Sequence, residues 1–172
     1  MAPGPILRGS KGEPLWPAGV VGSITHCAGY RAAAVARQTQ LAGIGIDAEV
    51  HAPLPAGIED RVCSAEETAW LKQQSGSVHW DRVLFSAKES VYKAWFPIAQ
   101  RWLDFTDVAI AFKPAGGEFQ VWPRVSLPGE FEEMLRQFEG RFLVRDGIVI
   151  TVVVLASGVK ARCPNSAVVR CI

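Results

Sequence analysis

Hydrophobic and polar positions alternate with period two over residues 43–50. Ile44 and Ile46 point one way, and Gly45, Asp47 and Glu49 the other, which predicts a half-buried strand. Two apolar runs precede it. Residues 20–24 read as a short buried strand and residues 30–36 as a second, although the alanines of the latter would also suit a helix. Cys27-Ala28-Gly29 and Gln38-Thr39-Gln40 supply turns, and three strands joined so closely predict an antiparallel meander. Residues 1–19, rich in Gly and Pro, predict a loop-like lead-in.

Beyond Pro53 and Pro55 the pattern changes. Ser64-Ala65-Glu66-Glu67 has the form of a capping box, in which side chains at both positions satisfy free backbone N–H groups, and predicts a helix to about residue 74. Ser86-Ala87-Lys88-Glu89 has the same form and predicts a helix from there to about residue 96, stopped by Pro97. Residues 108–112 and 118–125 flank Lys113-Pro114-Ala115-Gly116-Gly117 as a hairpin. Residues 129–139 predict a further helix with Phe131, Leu135 and Phe138 on one stripe. Residues 141–144 and 148–155, joined through Asp146-Gly147, predict the last hairpin. The expected class is α+β: one domain of two halves, about 1–50 and 51–172, each an antiparallel sheet packed with helix.

Composition narrows the picture. A chain of 172 residues with 49% hydrophobic and 20% charged residues can bury a core and is not disordered as a whole. Eighteen Lys and Arg against seventeen acidic residues give a net charge of +1, so there is no basic footprint for nucleic acid or an anionic membrane. The apolar run 147–156 is β-branched and shorter than the ~20 residues of a spanning helix. Met1-Ala2-Pro3-Gly4-Pro5 does not open a secretory signal. Cys27, Cys63, Cys163 and Cys171 are scattered without a C-x-x-C pair, which predicts four free thiols in a cytoplasmic protein.

Three spacings can carry chemistry. On a strand, Asp47 and Glu49 share a face ~7 Å apart, at ~3.4 Å per residue. Such a pair either ends a strand in solvent or, being hard oxygen ligands, suits Mg²⁺. Glu89 and Lys93 stand one helical turn apart. They serve either as a helix-supporting ion pair or as a metal ligand and a cation for phosphate. Ser23, Thr25 and His26 end a strand in two hydroxyls and an imidazole that could bond phosphate oxygens or simply be satisfied within the fold. Upstream, Arg8, Gly9, Ser10, Lys11, Gly12 and Glu13 form a basic, glycine-containing loop without P-loop spacing.

Taken together and in this order, three segments closely resemble the 4′-phosphopantetheinyl transferase family. They are Trp16-Pro17-Ala18-Gly19-Val20-Val21-Gly22-Ser23-Ile24-Thr25-His26, Gly45-Ile46-Asp47-Ala48-Glu49 and Phe85-Ser86-Ala87-Lys88-Glu89-Ser90-Val91-Tyr92-Lys93-Ala94. The likeness is to the bacterial group that primes siderophore, polyketide and nonribosomal-peptide carrier proteins, and it runs from about residue 8 to 156. The family carries a further N-terminal stretch, which the resemblance implies is lacking here, leaving the first half incomplete.

The resemblance implies transfer of the phosphopantetheine arm of coenzyme A to a serine of an acyl or peptidyl carrier protein, releasing 3′,5′-ADP. Asp47, Glu49 and Glu89 would hold Mg²⁺ and Glu89 would act as base. Lys93 would pair with phosphates. Arg8, Gly9, Ser10, Lys11, Gly12 and Glu13 would line the adenine and phosphate end. Ser23, Thr25 and His26 would grip phosphate oxygens, and Ile24 would be among the coenzyme-binding residues. Two alternatives stand beside it: a non-catalytic coenzyme A or nucleotide-binding remnant, and an interaction module with surface carboxylates.

Overall fold

The alternating segment folds as the strand β5 (Leu41–Val50), and both of its faces are covered. Ile44 and Ile46 are buried with Ala32 and Ala34 of β4 (Tyr30–Arg37). On the opposite face Gly43 and Gly45 meet the helix α3 (Trp80–Ala99). The computed structural model describes residues 4–158 and the backbone of β10 (Val168–Cys171). Cys163 and the side chain of Cys171 therefore lie outside the described residues.

Two antiparallel sheets make the frame. The larger runs in the order β5-β9-β8-β7-β6, with β6 (Val108–Lys113), β7 (Glu118–Pro123), β8 (Glu139–Arg145) and β9 (Ile148–Ala156). The smaller has the order β10-β4-β3, with β3 spanning Val20–Cys27. Helix α3 lies on the larger sheet, where Val91, Trp95, Val153 and Phe119 share one core. On the other face of β5 and β9, Ile46 and Val152 pack against the smaller sheet. The continuous apolar run of β9 follows from this, since a strand covered on both faces has no polar side.

Both late hairpins form as the turn residues predict. Asp146 and Gly147 adopt φ of 52° and 74°, the left-handed pair that a two-residue hairpin needs. Helix α4 (Gly129–Arg136) is shorter than its stripe suggests, although Leu135 and Phe138 are both buried.

Five expectations change. The first three strands do not form a meander: β3 pairs with β4, but β5 joins β9. The free edge of β5 is occupied instead by side chains of β3, because Ser23 Oγ accepts the Ile46 N–H and Thr25 Oγ1 the Ala48 N–H, each at 3.0 Å. The lead-in is not all loop; β1 (Leu7–Arg8) and β2 (Pro14–Leu15) form a small hairpin. Residues 4–50 contain strands and no helix, so the helix expected against the first sheet is absent among the described residues. The capping box at Ser64 is real and opens α2 (Ala65–Leu71) after the short α1 (Glu59–Val62). The one at Ser86 is not: α3 starts at Trp80, and Ser86 is buried mid-helix with its hydroxyl on Thr151 of β9 at 3.0 Å. Pro97 does not stop α3 either. It forfeits one N–H bond near the helix end, and the helix closes at Gln100, whose left-handed backbone and side-chain amide cap the carbonyls of Phe96 and Pro97.

No helix among the described residues is long and apolar enough to cross a membrane.

Candidate functional site

Asp47 and Glu49 share the α3-facing side of β5 with Gly43 and Gly45. A Cβ at Gly45 would overlap the Ser90 carbonyl and stand 2.6 Å from the Ala94 N. The glycine thus lets the helix backbone rest on the strand. That contact brings the helical pair Glu89 and Lys93 over the strand carboxylates. Lys93 Nζ donates to Asp47 Oδ1 at 2.7 Å, and the Thr25 hydroxyl donates to the same oxygen at 3.3 Å. Asp47 is 4% exposed, and its Oδ2 is buried without any hydrogen-bond partner.

Glu49 is held from the other end of the helix. Arg82 donates to Glu49 Oε2 at 3.0 Å and also to the carbonyls of Ala52 and Pro53. Burial pushes the Glu49 carboxyl above its ordinary pKa; the Asp47 charge adds to this and Arg82 opposes it. Glu89 is raised by burial first and by the Asp47 charge second, with Lys93 opposing. Two glutamates whose proton affinity is raised by burial and by the neighbouring Asp47 charge form a site short of positive charge.

They do not stand as a ready coordination shell. No group of three His, Cys, Asp or Glu side chains placed to hold a metal is found among the described residues. Lys93 and Arg82 each occupy one carboxylate oxygen. The chemistry of the donor set nevertheless fits a small hard cation: three carboxylates, one of them with an orphaned buried oxygen.

Above this cluster lies a cleft of about 520 Å³. Glu89 and Lys93 form its floor with Tyr92 and Phe96, and Arg8, Lys11, Gly12 and Glu13 of the β1–β2 hairpin form one wall. Ile24 and His26 of β3 line the other, both exposed. Asp47 and Glu49 do not line the cleft but sit beneath it. Gly9 and Ser10 do not line it either. Gly9 is packed against the Glu13 carboxylate, which accepts the Lys11 N–H at 2.9 Å and so organises the hairpin loop. Ser23 borders the cleft and Thr25 does not; both residues are buried, with their hydroxyls committed to β5. Alternation on β3 turns the side chains at 24 and 26 to the cleft and the hydroxyls at 23 and 25 to β5, with Ser23 at the cleft margin.

Sequence reading missed Tyr92, Phe96 and Arg82. Positions 89, 92, 93 and 96 lie on one helical face, so the spacing that joined Glu89 to Lys93 also reaches Tyr92 and Phe96. Arg82 lies two turns before Glu89, outside the helix as the sequence delimits it. A larger hollow of about 730 Å³ opens between β7, β8 and α4 near Lys113, Arg136 and Arg141. It contains none of the strand or helix carboxylates above, and the candidate site is the smaller cleft.

Comparison with known proteins bears on the family and the fold. A model of the 4′-phosphopantetheinyl transferase superfamily matches residues 43–145. A model of the 4′-phosphopantetheinyl transferase N-terminal domain matches residues 1–36. Part of the N-terminal region expected to be lacking is therefore present. The chain is 46% identical over 162 residues to the 4′-phosphopantetheinyl transferase Svp of Streptomyces mobaraensis, covering 91% of this chain and 65% of that protein. It is 45% identical over 158 residues to the 4′-phosphopantetheinyl transferase PptT of Mycobacterium tuberculosis, covering 89% and 70%. The chain thus spans about two-thirds of the length of these relatives. Among solved structures, the fold is similar to a holo-[acyl-carrier-protein] synthase of Thermotoga maritima, with a TM-score of 0.50 and 18% identity over 67% of this chain and 63% of that one. The holo-ACP-synthase of Plasmodium yoelii gives the same TM-score at 17% identity, over 69% and 96%.

Proposed function

Since the chain belongs to the 4′-phosphopantetheinyl transferase superfamily, we propose that it transfers the phosphopantetheine arm of coenzyme A to a serine of acyl or peptidyl carrier proteins. The observation that carries the reading is the docking of α3 on β5, which sets Glu89 and Lys93 over the buried Asp47 at the floor of a cleft with a basic rim.

In this reading the diphosphate of coenzyme A lies along the floor. Its nucleotide end faces Arg8 and Lys11, and His26 supports it from the opposite wall. Asp47, Glu49 and Glu89 would hold Mg²⁺, which supplies charge neutralisation of the diphosphate when bound. Phosphoryl transfer asks the protein mainly for positioning and electrostatics. Lys93 contributes an ammonium that is 29% exposed at its side chain and so reaches both Asp47 and the cleft. Glu89 accepts the proton of the carrier serine hydroxyl, and burial makes it a stronger base than a solvated glutamate. The serine oxygen forms the new P–O bond, and the bond to 3′,5′-ADP breaks. A cytoplasmic setting goes with this chemistry and with Cys27 and Cys63 as free thiols. The carriers are of the siderophore, polyketide and nonribosomal-peptide type.

Intact-mass analysis of candidate carriers, incubated with the chain, coenzyme A and Mg²⁺, tests the proposal. A gain of one phosphopantetheine is expected. Binding of coenzyme A without that gain would instead identify a ligand-binding remnant.

A further inference from the structure

Thr25 was expected among phosphate-binding groups, yet its side chain is buried on the β5 side of β3. Its hydroxyl makes two contacts with consecutive residues of β5, accepting the Ala48 N–H at 3.0 Å and donating to Asp47 Oδ1 at 3.3 Å. These roles are coupled. An ionised carboxylate can only accept, so the single hydroxyl proton goes to Asp47 while a lone pair takes the N–H. With Lys93 Nζ also on Oδ1 at 2.7 Å, one oxygen of Asp47 carries both donors. The other, Oδ2, is buried and unpartnered.

We infer that Thr25 is a positioning residue for Asp47: it fixes the carboxylate so that Oδ2 is the oxygen offered to a divalent cation. The inference rests on the reading of Asp47, Glu49 and Glu89 as the cation site. The contact to Asp47 is longer than the usual O–H···O bond, so its effect is orientation more than strength. The Ala48 N–H supplies the orienting force, because it fixes the hydroxyl from the main chain. A backbone donor next to Asp47 in sequence thereby holds the Asp47 side chain through an intermediary on another strand. Lys93 alone leaves the carboxylate plane free to turn about the Cβ–Cγ bond, whereas a second donor from another strand fixes that plane and so the direction in which the unpartnered oxygen points.

The test is Mn²⁺ binding to the full chain, followed by the electron-paramagnetic-resonance signal of the free ion, for wild type, Thr25→Val and Thr25→Ser. Thr25→Val keeps shape and loses the hydroxyl. It should weaken Mn²⁺ binding about tenfold, the low end of the range for loss of a group that orients a metal ligand. Thr25→Ser should restore affinity close to wild type. If Thr25→Val does not fold, Thr25→Ala replaces it, because the smaller side chain leaves room for a water at the Ala48 N–H. In transfer assays the Mn²⁺ concentration for half-maximal rate should rise by the same factor as the dissociation constant. Wild-type Mn²⁺ affinity in the folded deletion variant would overturn the positioning role, and so would equal loss in Thr25→Ser. Wild-type chain that binds no Mn²⁺ would overturn the cation-site reading and this inference with it.

Discussion

Helix α3 carries two lysines five residues apart, and each meets a carboxylate at 2.7 Å. Lys88 is fully buried and spends its three donors on Glu67 Oε2 and the carbonyls of Val62 and Phe105. Glu67 is equally complete: Oε1 accepts the Ile110 N–H, and Oε2 also accepts the Ser64 N–H. Lys93 is part-exposed and spends a donor on Asp47, whose second oxygen has no partner. The difference between a tie-rod and the proposed reactive site is therefore not the ion pair. It is whether valence is left over. A closed network joins α1, α2, α3 and β6, whereas the open one faces a cleft and has two cations for three carboxylates.

That contrast breaks most visibly at Glu89. Glu89→Gln removes the proposed proton acceptor and the proposed metal-ligating oxygen, and should slow transfer by about 10²–10⁴-fold, the scale of a lost general base. Thermal unfolding of the same variant should be unimpaired, since the capping role suggested by its spacing does not exist. An equal fall in stability would return Glu89 to the structural class. Lys88→Met should do the reverse. Stranding Glu67 in the interior should cost about 3–5 kcal/mol, measured by denaturant midpoint, and Lys88→Met with Glu67→Gln should recover part of it by removing the uncompensated charge.

A third consequence is a pH dependence. The Glu89 carboxyl has a higher pKa folded than unfolded, so the folded state binds its proton more tightly. Its contribution to stability is then largest below the unfolded value of about 4.3, and declines as pH rises through the raised one. Glu89→Gln should flatten the fall in unfolding free energy across this window; a profile parallel to wild type would refute the assignment. The smallest effect concerns thiols. Burial pushes Cys63 up to about 12, with the Glu67 charge adding to it, and thiolate is the reactive form. Cys63 should resist iodoacetamide at pH 8 while the chain is folded and react once it is denatured, as read by peptide mass.

The site was legible in the sequence as residue types and less so as geometry. Period-two alternation placed Asp47 and Glu49 on one face of β5, and helical spacing placed Glu89 with Lys93. That the Ser23 and Thr25 hydroxyls bond the edge of β5 does not show in the sequence, because a hydroxyl's partner is set by which strand lies opposite, and the meander expectation supplies a different neighbour. The start of α3 was misread for a related reason. Ser86 and Glu89 match a capping box locally, but Thr151, sixty-five positions later, takes the Ser86 hydroxyl. Lys88 sits beside Glu89 in the same segment, yet the distant carbonyls of Val62 and Phe105 close around it. Local periodicity survives folding, while partner choice across long sequence separations does not appear in any single segment.

Gly45 has a consequence of a different kind. With no side chain between the Ser90 carbonyl and the strand, helix and sheet touch main chain to main chain, and that separation cannot shrink further. Glu89 and Lys93 flank Ser90 in sequence, so their reach to Asp47 is measured from a hard stop. A cushion of side chains would instead give way under strain. Repacking elsewhere under α3, at Val91 or Trp95, is then expected to be felt as lost cohesion well before it is felt as a change of spacing at the carboxylates. The molecule keeps its chemical tolerance in a place where it has removed atoms.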